Sequence, residues 1–416
     1  MCIRDRYQAD GYMNSPVSEW AAGDTGIGVK IQHVANRVLE DSATVVFTQV
    51  TLSNTSHADM QVDLNISASS SVEVPHAASP VLQGESFSVY RQTVPSGGEI
   101  TLDFAAVATG SATVEQLKGF GDFQTQYTAV KTYYDGMLSG LAQPVSLPDG
   151  EMVNSYLNSM IVMWQTMVQA GNGDYEIRGD AGNRCGVYNY DRYFSHDVPN
   201  MVEQFIRDGY IDLAKRIMES SYYQRLAYSP QQGYLDAIPK YIIPYATLWQ
   251  VMDDAGRAAY FTDEVKNNIK SAAQNIATFM TGPDGLMAQS NTLDNGSDYL
   301  VVDNFAVMHG YAAYEYLCSQ WGWTEEAAWA GERAETVNNA LNGMLDEAME
   351  RRGVDWYMCA LEDTSGFWTR HQDGSVIYDG NWLGTTFMMS TFPWDAVLRG
   401  YDLGGPWAEY LDASLD

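Results

Sequence analysis

The apolar residues of this chain change their period once, near Ser111, and that change constrains the fold more than any single motif does. From about Gly26 to Gly110, Val29 and Ile31, the Val45-Val46-Phe47 run, Met60-Val62-Leu64-Ile66 and Ile100-Leu102-Phe104 alternate with polar residues. Successive side chains of a strand point to opposite faces, so this alternation marks a half-buried antiparallel sheet. Turn formers such as Ser53-Asn54-Thr55-Ser56 and Pro95-Ser96-Gly97-Gly98 separate the runs at the spacing of a β-sandwich. An N-terminal antiparallel β-sandwich over residues 1–110 is expected, with no catalytic constellation in it.

Beyond Ser111 the period is helical. Residues Thr113 to Leu141 read as a helical linker that stops at Pro144 and Pro148, giving a segment over 111–148. Val153, Tyr156, Leu157, Met160, Ile161, Trp164, Met167 and Val168 then fall on one stripe that Gly171 ends. Similar stripes place helices near 197–207, 210–226, 239–255, 262–281, 300–320, 324–349 and 382–400. Connections at 207–210, 255–262 and 320–324 are short, whereas 171–196, 227–238, 282–299 and 350–381 are long and rich in Asp, Trp, Tyr and Gly. Helices joined tightly at one end and loosely at the other make a ring of hairpins with its long loops on one face. A site is expected there.

With 416 residues the chain accommodates two domains. Its 53 acidic and 23 basic side chains give a net charge of −30, which repels phosphate backbones and anionic lipid surfaces, so nucleic-acid and membrane partners are not expected. No apolar run approaches the ~18 residues of a membrane-spanning helix. Cys2, Cys185, Cys318 and Cys359 are too scattered for a zinc site or a disulfide framework. The opening Met1-Cys2-Ile3-Arg4-Asp5-Arg6 lacks a signal-peptide core and reads as joined to an internal residue, which leaves the compartment, cytoplasmic or exported, open. Pro406 to Leu415 reads as a helix start, so the chain is expected to stop short of its full set of helices.

The run Tyr188-Asn189-Tyr190-Asp191-Arg192-Tyr193-Phe194-Ser195-His196-Asp197 packs rings, carboxylates and an Arg where a connecting loop normally holds small turn formers. Rings stack on pyranose faces while Asp and Arg hold hydroxyls, which suits a sugar site; an aromatic helix start packing on its neighbours fits equally. The 27 Tyr and 11 Trp carry the same pair of readings, a carbohydrate surface or a Tyr-rich core. Gln232, Tyr234 and Asp236 would lie on the same rim, and Trp356, Glu362, Asp363, Trp368, Arg370, His371, Asp373 and Asp379 crowd the 350–381 loop. His196 reads as a helix-start histidine and His309 as a core histidine.

Leu147-Pro148-Asp149, Tyr190-Asp191-Arg192, Gly209-Tyr210-Ile211-Asp212-Leu213-Ala214, Pro283-Asp284-Gly285-Leu286 and Val302-Asp303-Asn304-Phe305, in this order behind a β-sandwich, resemble the six-hairpin glycosidase superfamily. That superfamily comprises the (α/α)6-barrel enzymes that include glucoamylases, trehalases and related hydrolases and phosphorylases. The resemblance implies an incomplete (α/α)6 barrel over 149–416 acting on carbohydrate without a cofactor. It also implies a general acid in the loop between the fifth and sixth helices, and, in inverting members, a base after the eleventh. Here that loop, Gly282 to Asp303, holds Asp284, Asp294, Asp298 and Asp303 but no Glu, a departure from the glucoamylase pattern in which Glu follows Trp. Asp294 is the first candidate acid, Asp298 the second, and Glu362 a surrogate; all four Asp also fit turn or N-cap roles. Hydrolysis with inversion needs one protonated and one ionised carboxylate roughly 6.5–9.5 Å apart, and the acid needs burial or rings to raise its pKa.

A glycoside hydrolase is therefore expected, with Tyr190, Asp191, Arg192, Tyr234, Asp236, Trp356, Trp368 and Arg370 binding substrate. A phosphorylase would want a cationic cluster, whereas Arg178, Arg184, Arg192 and Arg370 are scattered among acids. A carbohydrate-binding protein with a degenerate barrel is the alternative that the missing Trp-Glu pair favours.

Overall fold

The computed structural model describes residues 5–39, 43–67, 72–73, 82–83, 87–142, 149–165, 167–169, 175–177, 195–229, 234–292, 296–353, 361–362, 368–370 and 376–378. An antiparallel β region is followed by a helical region, and the chain divides into units Met1–Trp164 and Gln165–Asp416.

In the first unit, strands β1 (Asp5–Gln8), β2 (Pro16–Ala21), β3 (Ile27–Val38), β4 (Ala43–Asn54), β5 (Met60–Ser67), β6 (Val72–Glu73), β7 (Leu82–Gln83), β8 (Phe87–Val94) and β9 (Glu99–Thr109) form two antiparallel sheets. Their orders are β1-β2-β3-β4-β9-β6 and β5-β8-β7. Strand alternation alone hides one feature. In β4 the buried positions run Ala43, Val45, Phe47 and then Val50, Leu52, Asn54, so the buried face changes sides between residues 47 and 50. The register explains why. Ile31, Val50 and Leu102 form one cross-strand row, and their face shares a core with Tyr90 and Val94 of the second sheet. Val34, Phe47 and Ala105 form another row on the opposite face. Phe47 there meets Phe120 edge-on, with ring centroids 6.3 Å apart.

Helices α1 (Val114–Gly119) and α2 (Phe123–Leu138) lie where a single helical segment was expected. Gly121, at φ 87°, separates them, and Thr113 and Asp122 cap the two starts. α2 packs on β3 and β4. Asp103 accepts the Phe123 amide at 3.1 Å, and Asn36 donates to Gln126 at 2.9 Å. α3 (Gly150–Gln165) sits against the turn at Gly11 and Tyr12, where Asn158 donates to the Tyr12 carbonyl at 2.8 Å. It ends earlier than its apolar stripe predicts. Met167 and Val168 lie instead on β10 (Met167–Gln169), paired with β11 (Tyr175–Ile177). Two residues of a short hairpin happen to continue the helical spacing, and the Gly171-Asn172-Gly173 run between the strands is the turn signal that outweighs it.

The second unit is built from helical hairpins. α4 (Val198–Arg207) turns at Gly209, φ 92°, into α5 (Ile211–Met218), and α6 (Ser221–Gln224) follows. α7 (Ala237–Lys240) leads into α8 (Ile243–Val251), α9 (Asp254–Tyr260) and α10 (Asp263–Phe279). β12 (Ser290–Thr292) and β13 (Gly296–Asp298) form a hairpin before α11 (Val301–Trp321), which Gly322, φ 74°, joins to α12 (Thr324–Arg352). β14 (Trp368–Arg370) and β15 (Val376–Tyr378) pair later. α8 packs on both α4 and α11, and α11 also packs on α10 and α12. α11 is buried on nearly every side, whereas α10 buries only the stripe of Ile269, Ala272, Ala273 and Ile276, so α11 is an inner helix and α10 an outer one.

Three expectations are corrected here. The segment 210–226 is broken because Ser220 caps α6, accepting the Tyr223 amide at 3.2 Å. The segment 239–255 is split into α7 and α8, with Pro244 in the first turn of α8. The short connection expected at 255–262 contains α9, started by Asp253, which accepts the Gly256 amide at 2.7 Å. The helix expected at 382–400 lies outside the described residues.

Candidate functional site

Four long connectors were expected to meet over one site, and the described parts of them meet in two pairs. The end of the 171–196 connector reaches the end of the 227–238 connector. The His196 ring stacks on Tyr234 with centroids 3.9 Å apart and planes inclined at 27°. Lys240 holds this arrangement from below, its Nζ donating to the His196 carbonyl at 3.2 Å. Lys240 also pairs with Asp236 one turn earlier, and both side chains are buried, at 4% and 6% exposure. Asp236 Oδ1 is buried without a hydrogen-bond partner among the described residues. A buried carboxylate oxygen with spare acceptor capacity is costly unless something supplies a donor.

Further polar side chains lie on α4, α8 and α11. Thr247 of α8 donates to Glu203 of α4 at 2.7 Å, and Arg207 reaches the same Oε1 at 3.3 Å. His309 of α11 is buried, and its imidazole pKa is pushed down to about 3, first by burial and then by the Arg207 and Lys240 charges. α7 approaches α11 closely because Gly310 has no side chain; a Cβ there would lie 2.8 Å from both Cβ and O of Pro239. Behind α7, Tyr223, Tyr241 and Tyr245 form a buried cluster. Tyr223 donates to the Tyr241 carbonyl at 3.0 Å, and Gln224 bridges the Tyr241 and Tyr245 hydroxyls. Burial holds the Tyr241 and Tyr245 phenols protonated far above the ordinary range. With Tyr311 and Tyr314 also fully buried, part of the Tyr surplus builds core.

The second pair of connectors meets near the start of α11. Leu361 donates its amide to the Tyr299 carbonyl at 3.1 Å, and Glu362 accepts from Gln289 at 3.0 Å. Asn304 clamps the segment before it, accepting the Met287 amide and donating to the Leu300 carbonyl, each at 2.8 Å. Glu362 is exposed and lies beside the 282–299 connector.

Of the residues expected from sequence, Tyr234, Asp236 and Glu362 fall in these two places. Asp298 lies on β13 opposite Ser290, and Trp368 and Arg370 lie on β14. Asp294, Tyr190, Asp191, Arg192 and Trp356 lie outside the described residues. Asp284 occupies a turn at φ 51°, and Asp303 is buried in the first turn of α11. Lys240, Glu203, Arg207 and Thr247 were not singled out by sequence. The Asp236-x-x-x-Lys240 spacing was the available signal, since residues four apart share a helix face.

No family model matches the chain, and no curated protein matches it. Among solved structures it is similar to a bacterial glucoamylase complexed with acarbose, at 12% identity and TM-score 0.42, over 87% of this chain and 60% of that one. It is similar to a Bacillus rhamnosidase at 12% identity and TM-score 0.37, over 83% of this chain and 35% of that one. A Klebsiella oxytoca rhamnosidase with rhamnose bound matches at 10% identity and TM-score 0.37, over 99% of this chain and 77% of that one. Among the described residues no helix is long and apolar enough to cross a membrane.

Proposed function

We propose that this protein is a glycosidase that cleaves oligo- or polysaccharide bonds by carboxylate acid/base catalysis with inversion, its helical unit forming part of an (α/α)6 barrel behind a β-sandwich. The observation that carries this reading is the pairing of an aromatic stack with a buried carboxylate at the meeting of two connectors. The His196–Tyr234 stack offers a ring to a pyranose face, and Asp236 beside it has one buried oxygen with no hydrogen-bond partner among the described residues. Such a combination orients a sugar through its apolar face and its hydroxyls together.

In this reading a protonated carboxylate in the 282–299 connector delivers the proton to the departing glycosidic oxygen, and an ionised one activates water on the opposite face. Asp294 is the first candidate for the acid, Asp298 the second, and Glu362 stands beside the same connector. Tyr190, Asp191, Arg192, Trp356, Trp368 and Arg370 are proposed to line the sugar subsites.

The test is release of reducing sugar from a panel of oligosaccharides by the full chain and by Asp294→Asn, Asp298→Asn and Glu362→Gln variants, with the anomer of the first product followed by NMR. Loss of at least about 100-fold in turnover on neutralising the acid is expected. Binding without cleavage by the unaltered chain would overturn the enzyme reading in favour of a sugar-binding protein.

A further inference from the structure

At the far end of α8 from Lys240, aromatic side chains gather where short turns would ordinarily expose polar residues. Trp249 meets Phe261 at 5.0 Å and Trp321 at 6.2 Å, ring centroid to centroid, and Trp321 meets Trp323 at 5.2 Å. These residues come from the end of α8, the α9–α10 turn and the α11–α12 turn. Lys240 ends α7, whereas Trp249 lies near the end of α8, about 9 Å along that helix from its start at Ile243 at ~1.5 Å per residue, so this cluster is distinct from the connector site.

The cluster borders a pocket of about 490 Å³ lined by Trp249, Arg257, Phe261, Thr262, Asp263 and Lys266, among others. Trp249 and Trp321 are half-buried, so ring surface remains in reach of solvent. Arg257 lies 5.4 Å over the Trp249 ring and Lys266 5.6 Å over that of Trp321. Arg257 also pairs with Asp254 at 3.0 Å, and Asp254 and Asp263 complete the rim. Two cations and two carboxylates make this lining neutral overall, in a chain of net charge −30.

A neutral lining with rings at its floor and both donors and acceptors at its rim suits a neutral polyhydroxylated ligand. An anionic ligand would have to approach against the field of the whole chain. A purely apolar ligand would cover Lys266 and Asp263 without offering either a polar partner. We propose that this pocket is a second saccharide-binding site, specific for neutral oligosaccharides and separate from the connector site. A sugar ring lies against the exposed edge of Trp249, its hydroxyls donating to Asp263 and accepting from Lys266 and the Thr262 hydroxyl. The inference stands on the pocket's own chemistry and does not depend on hydrolysis at the connectors.

The test is titration of the full chain with maltohexaose, cellohexaose, xylohexaose and mannohexaose, read by tryptophan fluorescence and calorimetry, under conditions where no cleavage is detected. In a Tyr234→Ala background, which removes the ring proposed to bind sugar at the connectors, at least one is expected still to bind, with affinity falling roughly tenfold or more when Lys266→Gln, Asp263→Asn or Trp249→Ala is added. The first two variants alter exposed or half-exposed groups, so they report even if Trp249→Ala unfolds. No binding by any of the four sugars in the Tyr234→Ala background, or equal binding when Lys266→Gln and Asp263→Asn are added to it, would overturn the proposal. Loss of this binding with sugar release intact would leave the glycosidase reading standing, and the reverse result would leave the second site standing.

Discussion

In the β unit, Arg91 grips Asp63 through two hydrogen bonds of 2.7 and 2.8 Å, yet the side chains are 49% and 47% exposed. In the helical unit, Lys240 and Asp236 form a pair that is 4% and 6% exposed. The first pair sits across two strands, where the polar positions of a period-two pattern naturally face water. The second sits on a short helix whose other residues are almost all buried. Desolvating two charges is expensive, and replacing such a pair with apolar side chains often costs nothing. A buried pair that stability alone does not require fits a positioning role, here through the Lys240 hydrogen bond to the His196 carbonyl beside the stack on Tyr234.

Breaking the buried pair tests this most severely. Lys240→Met leaves Asp236 buried without its cation, and unfolding in urea followed by circular dichroism is expected to show a loss of roughly 3–5 kcal/mol. Adding Asp236→Leu should recover most of that loss. It should not restore the sugar binding proposed at the connectors, because the tie to His196 is still missing. A double variant that binds and cleaves like the unaltered chain would reduce the pair to packing.

The next largest effect is steric. At Gly310 an added methyl would stand 2.8 Å from the Pro239 carbonyl oxygen, and backbone cannot move aside as a flexible side chain can. Gly310→Ala is expected to cost about 1–3 kcal/mol by overpacking. Gly343, whose Cβ position is open, is the matched control: Gly343→Ala in α12 should stabilise or leave the midpoint unchanged. Equal effects at the two glycines would mean that α7 and α11 are not held in close contact.

A pH effect belongs to the helical unit as well. His309 has its folded pKa pushed down to about 3, against ~6.5 in an unfolded chain, so the unfolded state binds the extra proton between those values. Stability that this group contributes is complete above about pH 6.5 and is lost as pH falls toward 3, at no more than about 1.4 kcal/mol per pH unit. His309→Asn should flatten the acid limb of a stability–pH curve, and Lys240→Met should shift it by removing one of the cations that depress the imidazole. An acid limb that keeps its slope in His309→Asn would assign the titration elsewhere.

The two units also differ in how far their sequences could be read. Period-two runs such as Met60-Val62-Leu64-Ile66 name their strand directly, because one face of β5 is covered along its length. β4 is less transparent, since Phe47 and Val50 are buried on opposite faces and only the positions of the second sheet and of Phe120 explain it. In the helical unit the long stripes mark α10 and α11, while the caps at Ser220 and Asp253 that start α6 and α9 interrupt stripes whose apolar spacing runs on past them. Tyr234, Asp236 and Glu362 were reachable because ring- and acid-rich connectors stand out by composition. Lys240 was not, since one cation in an apolar helix looks the same in sequence whether it reaches solvent or a carbonyl. Trp249, Phe261 and Trp321 converge from three separate turns, so no spacing in the chain announces their pocket.

The exposed pair of the β unit sets the lower bound of the comparison. Asp63 has its carboxyl pKa lowered by the hydrogen bonds and charge of Arg91, yet water screens both groups. The gain from pairing is then offset by the side-chain entropy of holding a long guanidinium in one pose. The neighbouring register supports this reading, because Val62 and Leu64 flank Asp63 on the opposite, core-facing side of β5 and anchor the strand without the ion pair. Arg91→Met should therefore leave the urea midpoint of the β unit unchanged in low salt and in high salt alike. A midpoint shift as large as that of Lys240→Met would mean that exposure does not separate the two pairs, and the inference that the buried one is kept for positioning would lose its basis.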